Sequence, residues 1–278
     1  MMYNLDLTIA IPVKNEATNL PLCLEAIGKG FAKKVVVVDS GSTDTTKEIA
    51  RQWGAEVIEF KWDGKFPKKR NWFLRTHTPQ TKWVLFLDAD EYLTEAFKDE
   101  VAEKLKNGNK NGYWLSYTIH FLGKPLKGGY PLRKLALFKV GAGEYERIDE
   151  ERWSHLDMEV HEHPLIKDNV DTIYSKIDHS DFRGISHYII KHNEYASWEA
   201  SRFIKLSADK NALAQLTWKQ KFKYRLLKST LIGPAYFFGN YIFLGGFRDG
   251  ARGLAFAIFK MSYFTQVHCK IKEYKNSF

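Results

Sequence analysis

The residues with the clearest chemical potential are Asp88 and Asp90, which flank Ala89 directly after the apolar run Trp83-Val84-Leu85-Phe86-Leu87. Side chains two positions apart at the end of a strand share one side of its mouth. Two carboxylates there can hold a hard divalent cation through oxygen ligands while that cation grips a diphosphate. A cation so placed neutralises charge that builds on a departing diphosphate. The ordinary alternative is a cluster of acids at the start of the helix expected beyond Thr94, with Glu91 facing the helix dipole.

Other candidates lie at comparable places. Asp39 closes the run Val35-Val36-Val37-Val38 and could accept hydrogen bonds from a base or a ribose, although a lone aspartate after a strand is more often a turn cap. Lys14 and Glu16 follow the first apolar run, which ends Ile11-Pro12-Val13. Lys68, Lys69 and Arg70 precede Asn71 in a short helical stretch, where they could meet diphosphate oxygens or form a solvated basic face. His161-Glu162-His163 places both imidazoles on one face of a strand and Glu162 on the other, and lacks the third ligand of an H-E-x-x-H zinc pattern. Acid–base work suits it better, because an attacking hydroxyl must give up a proton. Glu162 is favoured for that role over His161, His163 and the Asp149-Glu150-Glu151 cluster. His179, within Asp178-His179-Ser180, is a further candidate metal or phosphate ligand.

The elements that must position these groups can be read from apolar periodicity. Leu7 to Val13, Val35 to Val38, Ala55 to Phe60 and Trp83 to Leu87 are short apolar, β-rich runs. Helical patterns separate them, from about Asn19 to Ile27 with Pro21 in its first turn, and onward to Trp53 with Thr45 and Glu48 spaced as a capping box. Continuous apolar strands alternating with helices predict an α/β fold with a mostly parallel sheet covered on both faces. Ligands of such sheets collect at the carboxyl ends of the strands, where Lys14, Glu16, Asp39, Asp88 and Asp90 all fall. From Tyr113 to about Asp178 the pattern is β-rich. After Gly184 it is helical, and Ile185, Tyr188, Ile189, His192, Tyr195, Ala196, Phe203 and Leu206 are expected to form one buried stripe. The expected division is therefore a domain over 1–183, with a nucleotide-binding part to about 110 and an acceptor part over 111–183, followed by a helical extension over 184–278.

Composition narrows the class. Lys and Arg number 42 against 33 Asp and Glu, a net charge of +9, which suits phosphate-bearing ligands or an anionic membrane surface. The excess is too diffuse for a nucleic-acid footprint, and no helix-turn-helix or zinc-finger pattern accompanies it. Two cysteines, Cys23 and Cys269, make no disulfide framework and point to a reducing compartment, while the first residues lack the layout of a signal peptide. No G-x-G-x-x-G or G-x-x-x-x-G-K-[ST] follows the first strand, which disfavours a dinucleotide enzyme or a P-loop nucleotidase.

In order and spacing, Ile9-Ala10-Ile11-Pro12-Val13-Lys14-Asn15-Glu16, Val38-Asp39-Ser40-Gly41-Ser42-Thr43-Asp44, Lys69-Arg70-Asn71 and Asp88-Ala89-Asp90 resemble glycosyltransferase family 2 over residues 5–100. Arg133 to Phe138, Val160-His161-Glu162, His179-Ser180 and Phe247-Arg248-Asp249-Gly250 are similar to its branch of lipopolysaccharide-core β-glucosyltransferases. The resemblance implies a GT-A fold and an inverting single displacement from a donor such as UDP-glucose, with Mg²⁺ or Mn²⁺. By position it implies that Pro12, Lys14, Glu16 and Asp39 line the nucleotide pocket. Lys69 and Arg70 would approach the diphosphate, and Asp88 and Asp90 would serve the metal and the donor sugar. The acceptor would be a hydroxyl of a lipopolysaccharide, exopolysaccharide or other envelope glycan. The chain departs from the family in lacking the Glu-Asp pair that many members use as base, so Glu162 stands in that role by similarity to the branch.

Ser229 to Phe247 holds no charged residue and approaches the length of a membrane span, but Gly233, Pro234, Gly239, Gly245 and Gly246 interrupt it. Lys219, Lys221, Lys223, Arg225 and Lys228 lie just upstream. Basic residues beside aromatic helices fit peripheral membrane contact through 219–268, at the cytoplasmic face of the inner membrane, with ordinary helical packing or an oligomer contact as the alternative for 229–268. Two rival functions remain at this point. A metal-dependent nucleotidyltransferase would also use strand-end aspartates, though with a Gly-rich phosphate loop. A non-catalytic nucleotide-sugar-binding protein would keep Asp39 and need no base.

Overall fold

A computed structural model describes residues 3–147, 156–157, 164–167, 169–208 and 218–276. They form two compact units, Met1–His120 with Pro131–Phe182, and Phe121–Tyr130 with Arg183–Phe278. The division thus falls at Phe182, and Phe121–Tyr130 joins the helical unit.

The first unit alternates strand and helix: β1 (Leu5–Val13), α1 (Leu20–Ile27), β2 (Ala32–Asp39), α2 (Thr46–Trp53), β3 (Glu56–Glu59), α3 (Lys69–Thr76) and β4 (Trp83–Phe86). There follow β5 (Glu91–Tyr92), α4 (Glu95–Asn107), β6 (Gly112–Phe121), and, after the short β7 (Lys124–Pro125), β8 (Arg133–Lys139), β9 (Gly143–Tyr145), β10 (Pro164–Ile166) and β11 (Val170–His179). The main sheet runs β3-β2-β1-β4-β8-β6-β11-β5, and β9 and β10 pair separately. β1, β2, β3 and β4 are mutually parallel, whereas β8 pairs antiparallel with β4 and β6, so the sheet is mixed beyond β4. This is the GT-A-type arrangement of a parallel-dominated sheet flanked by helices.

Strand alternation explains why both faces are covered. Leu7, Ile9, Ile11 and Val13 turn to one face and pack with Leu20, Leu24, Ile27, Ala50 and Phe97 from α1, α2 and α4. Ala10, Val36, Val38, Val84 and Phe86 turn to the other, against Phe73 and Leu74 of α3. A two-sided core makes period-2 polarity impossible, hence the unbroken apolar runs. One local expectation fails: Thr45 and Glu48 make no capping box. Asp44 serves instead, its Oδ1 accepting from the Thr46 amide at 3.1 Å and its Oδ2 from Ala17 at 3.1 Å.

The second unit contains α5 (Gly184–Ala208), α6 (Trp218–Leu227), α7 (Ile232–Phe238), a π-helical turn (Gly239–Phe243), a 3-10 turn (Gly246–Asp249) and α8 (Gly250–Asn276). Ala196, Ala200 and Phe203 of α5 pack with Leu227, Ile232, Phe264, Val267 and Ile271. The buried stripe of α5 therefore starts at Ala196; Ile189 is 48% exposed, because this core forms only where α5 meets Leu227 and α8. Asp249 accepts hydrogen bonds from the amides of Lys127 and Gly128 at 3.0 Å, which ties 121–130 to this unit and gives the Phe247-Arg248-Asp249-Gly250 segment a structural task.

Candidate active site

The register of β1 sets where a ligand can enter. β1 stays paired with β2 as far as Val13 and Asp39, but with β4 only as far as Ala10 and Phe86. The chain also reverses its direction of travel across the sheet between β1 and β4, the switch point at which open α/β sheets bind ligands. Pro12 is buried at this opening, past the end of β4, where its missing N–H costs no ladder bond to that strand.

The loops after β1 and β2 are stitched into one shelf. Asn15, at φ 55°, donates its amide to Ser42 Oγ at 2.8 Å and accepts at Oδ1 from the Thr43 amide at 2.8 Å. The Glu16 amide donates to Thr46 Oγ1 at 2.8 Å, and the Glu16 carboxylate accepts from Asn19 Nδ2 at 3.0 Å. Asp39 is fully buried beneath this shelf. Its Oδ2 accepts from the amides of Gly41 and Ser42 at 2.9 and 3.0 Å, while Oδ1 has no hydrogen-bond partner among the described residues. A buried carboxylate oxygen left without a donor is costly and marks a place where a ligand donor would be welcome. Lys14 is exposed on the same loop.

Asp88 sits at the centre of an ion network. Its Oδ1 accepts from Arg70 Nη2 at 2.7 Å and its Oδ2 from Lys134 Nζ at 2.6 Å. Lys134 also reaches Glu91 Oε1 at 2.5 Å and lies 5.3 Å from the centre of the Tyr117 ring. The antiparallel pairing of β8 with β4, from Trp83 with Lys139 to Leu85 with Leu137, brings the first residues of β8, Lys134 among them, alongside the chain that leaves β4 towards Asp88. Burial disfavours charge on Lys134, but the carboxylates of Asp88 and Glu91 outweigh it and hold its pKa well above the ordinary lysine range. Glu91 is 1% exposed; burial pushes its carboxyl up to about 7, against the opposing pull of Lys134. Its other oxygen accepts from the Asp88 amide at 3.0 Å, which closes the turn.

Asp90 points elsewhere. Pairing of β5 with β11 sets His179 opposite Glu91, and the Ser180 amide donates to the Asp90 carbonyl at 2.9 Å. His179 Nε2 then stands 3.6 Å from Asp90 Oδ1. Thr94 caps α4 by accepting from the Phe97 amide at 3.2 Å, so Asp88 and Asp90 are not needed as helix caps. No cluster of three or more metal-binding side chains occurs among the described residues. One carboxylate and one imidazole still fit a Mn²⁺ or Mg²⁺ that takes its remaining ligands from substrate phosphates and water, the usual habit of such ions.

Lys69 is 2% exposed, and its Nζ lies 3.2 Å from the Val13 carbonyl and 3.3 Å from Asp157 Oδ2. Asn71 bonds the backbone of Tyr145 in both directions, at 2.8 and 2.9 Å, and so anchors α3 to β9. Glu162, His161, His163 and Asp149-Glu150-Glu151 lie outside the described residues. The structure thus groups Arg70 with Asp88 and His179 with Asp90, and holds Asp39, Glu16 and Lys69 in the walls of the same strand-end region. Sequence reasoning missed Lys134 and Glu91 as members of the network. The available signal was Lys134 at the entry of the apolar run Leu135 to Phe138, a costly place for a cation without a partner.

Over residues 8–162, more than half of its length, the chain matches the model of Glycosyl transferase family 2. An uncharacterized glycosyltransferase of Rickettsia bellii is 37% identical over 112 residues, 40% of this chain and 36% of the relative, so that match spans little more than a third of the relative's length. The lipopolysaccharide core biosynthesis glycosyltransferase LpsC of Rhizobium meliloti is 25% identical over 263 residues, 91% of this chain and 87% of the relative. Among solved structures, S. aureus TarS 1-349 aligns with a TM-score of 0.45 at 12% identity, over 98% of this chain and 92% of that one. Glucosyl-3-phosphoglycerate synthase from Mycobacterium tuberculosis, solved with Mn²⁺, UDP and glucosyl-3-phosphoglycerate, aligns with a TM-score of 0.33 at 20% identity, over 41% of this chain and 44% of that one. On the extent of the family match, this chain belongs to glycosyl transferase family 2.

Proposed function

We propose that the protein is an inverting, metal-dependent glycosyltransferase that moves a hexose from a UDP-sugar to a hydroxyl of an envelope glycan or glycolipid. One observation carries the reading. At the opening between β1 and β4, Asp90 with His179 adjoins Asp88 with Arg70 and Lys134, so an acid–imidazole pair for a cation lies beside guanidinium and ammonium groups suited to a diphosphate. LpsC, which aligns over most of both chains, supports an envelope acceptor.

In this mechanism Asp39 Oδ1 accepts a hydrogen bond from the uracil or ribose, which satisfies its unmet capacity. Arg70 and Lys134 exchange part of their hold on Asp88 for the donor diphosphate, and Asp88 turns to the donor sugar. Asp90 and His179 would hold the metal, which would supply positive charge to offset that on the departing nucleoside diphosphate. Glu162 takes the proton of the acceptor hydroxyl as the new bond forms on the face opposite the leaving group. Peripheral contact with the cytoplasmic face of a membrane through 219–268 would keep the enzyme at a surface that carries lipid-linked acceptors. Hydrolysis of UDP-hexoses, followed with Mn²⁺ and with EDTA, tests the reading: turnover is expected only with metal, and full turnover in EDTA would refute the metal assignment.

A further inference from the structure

Dividing the chain into its two units also divides its charge. Phe121–Tyr130 and Arg183–Phe278 contain 18 Lys and Arg but five Asp and Glu, a net of +13. The rest of the chain carries 24 against 28, a net of −4. The excess that looked diffuse along the sequence belongs entirely to the helical unit. Five carboxylates cannot neutralise it, and such a field repels itself unless an anionic partner answers it.

The same unit carries an apolar outer face. α7 is packed on its inner side, where Tyr236 stacks on Phe264 and a side chain at Gly233 would collide with Thr265. On its outer side Phe238 and Ile242, four residues apart, are 55% and 48% exposed. Phe243, in the π-helical turn that ends this arm, is 84% exposed. Phe247 in the 3-10 turn, and then Leu254 and Ile258 in α8, follow at spacings of seven and four, and are 54%, 38% and 45% exposed. Apolar surface of this extent is seldom left bare.

We infer that the hairpin of α7, the π-helical turn and the start of α8 inserts into the surface of an anionic lipid bilayer, with Phe243 and Phe247 leading. The inference rests on the envelope-acceptor reading for its purpose but not for its evidence. Charge selects the occupant: a second copy packed through the same helical unit would set +13 against +13, whereas an anionic bilayer attracts each basic residue near its surface. Depth follows from length. No described helix is long and apolar enough to cross a membrane, and α7 with its π-helical turn covers only about 18 Å at 1.5 Å per residue. Insertion therefore stops in the headgroup and upper acyl region.

Co-sedimentation of the full chain with vesicles tests this. Wild type is expected to bind vesicles containing about one third phosphatidylglycerol, and to bind phosphatidylcholine vesicles at least about tenfold more weakly, as it should anionic vesicles near 1 M salt. Phe243→Ser with Phe247→Ser is expected to weaken anionic-vesicle binding about tenfold or more, with helical circular dichroism and donor hydrolysis unchanged. Arg225→Glu with Lys228→Glu, both exposed in wild type, should weaken binding to anionic vesicles alone. Equal binding to both vesicle types, wild-type binding by the Phe pair variant, or conversion of a wild-type oligomer to a monomer by that variant without loss of lipid binding would overturn the inference. Failure to bind any vesicle while donor hydrolysis persists overturns docking and leaves the transferase reading standing. Vesicle binding without donor hydrolysis does the reverse.

Discussion

Replacing Lys134 by Met removes one cation from between two carboxylates while keeping most of the side-chain volume, and the consequence depends on pH in a way that can be worked out. Lys134 bonds Asp88, which is partly exposed, and Glu91, which is buried. At about pH 6 Glu91, whose carboxyl is pushed up to about 7, is mostly protonated in the folded protein. The variant then loses chiefly the bond to Asp88, worth about 1 kcal/mol at a partly exposed site. A carboxyl whose pKa is raised by folding contributes stability that is full at low pH and is lost as pH rises through its folded value. In wild type that loss stops near 7, because Lys134 lets Glu91 ionise. In Lys134→Met the folded value lies higher still, so the loss continues at about 1.4 kcal/mol per pH unit. By pH 8.5 the gap between the two proteins should have grown by about 2 kcal/mol, to a total of about 3, the lower end of the cost of breaking a buried ion pair. Urea unfolding followed by tryptophan fluorescence at the two pH values measures it. A gap of equal size at pH 6 and pH 8.5 would refute the assignment of Lys134 as the counter-charge of Glu91.

Three further outcomes are expected. Asp90→Ala and His179→Ala should each weaken Mn²⁺ activation of donor hydrolysis by about 10-fold or more with the fold retained, and a metal titration unchanged in both would remove them from the metal site. Asp39→Asn, which leaves the shape but removes the charge, should weaken UDP binding in calorimetry, and wild-type protein should prefer UDP to GDP; much tighter GDP binding would overturn the uridine assignment. Glu162→Gln should bind the UDP-sugar almost as wild type does yet turn over about 10²–10⁴ times more slowly, since a base acts mainly in the transition state. If donor binding collapses instead, Glu162 belongs to the donor site and another residue is the base.

The first hundred residues were legible because their physics is local. Apolar runs of four to seven residues separated by amphipathic helices admit few arrangements other than a two-sided sheet, and that sheet brings the ends of β1, β2 and β4 side by side. Asp39, Asp88 and Asp90 could therefore be picked out as strand-end acids from spacing alone. What each carboxylate touches was not legible. Lys134 reaches Asp88 across 46 positions of sequence, through an antiparallel pairing whose register is fixed by the whole β4–β8 ladder. Glu91 read as a helix acid, and only the turn that folds it back onto the Asp88 amide makes it part of the ion network. His179 was one lone histidine until β11 met β5 beside Asp90. The helical region shows the same limit from the other side: its lack of charge from Ser229 to Phe247 is plain in the sequence. Which of those aromatic residues pack inward and which face outward depends on how α7 lies against α8, a tertiary contact that no periodicity in one helix can specify.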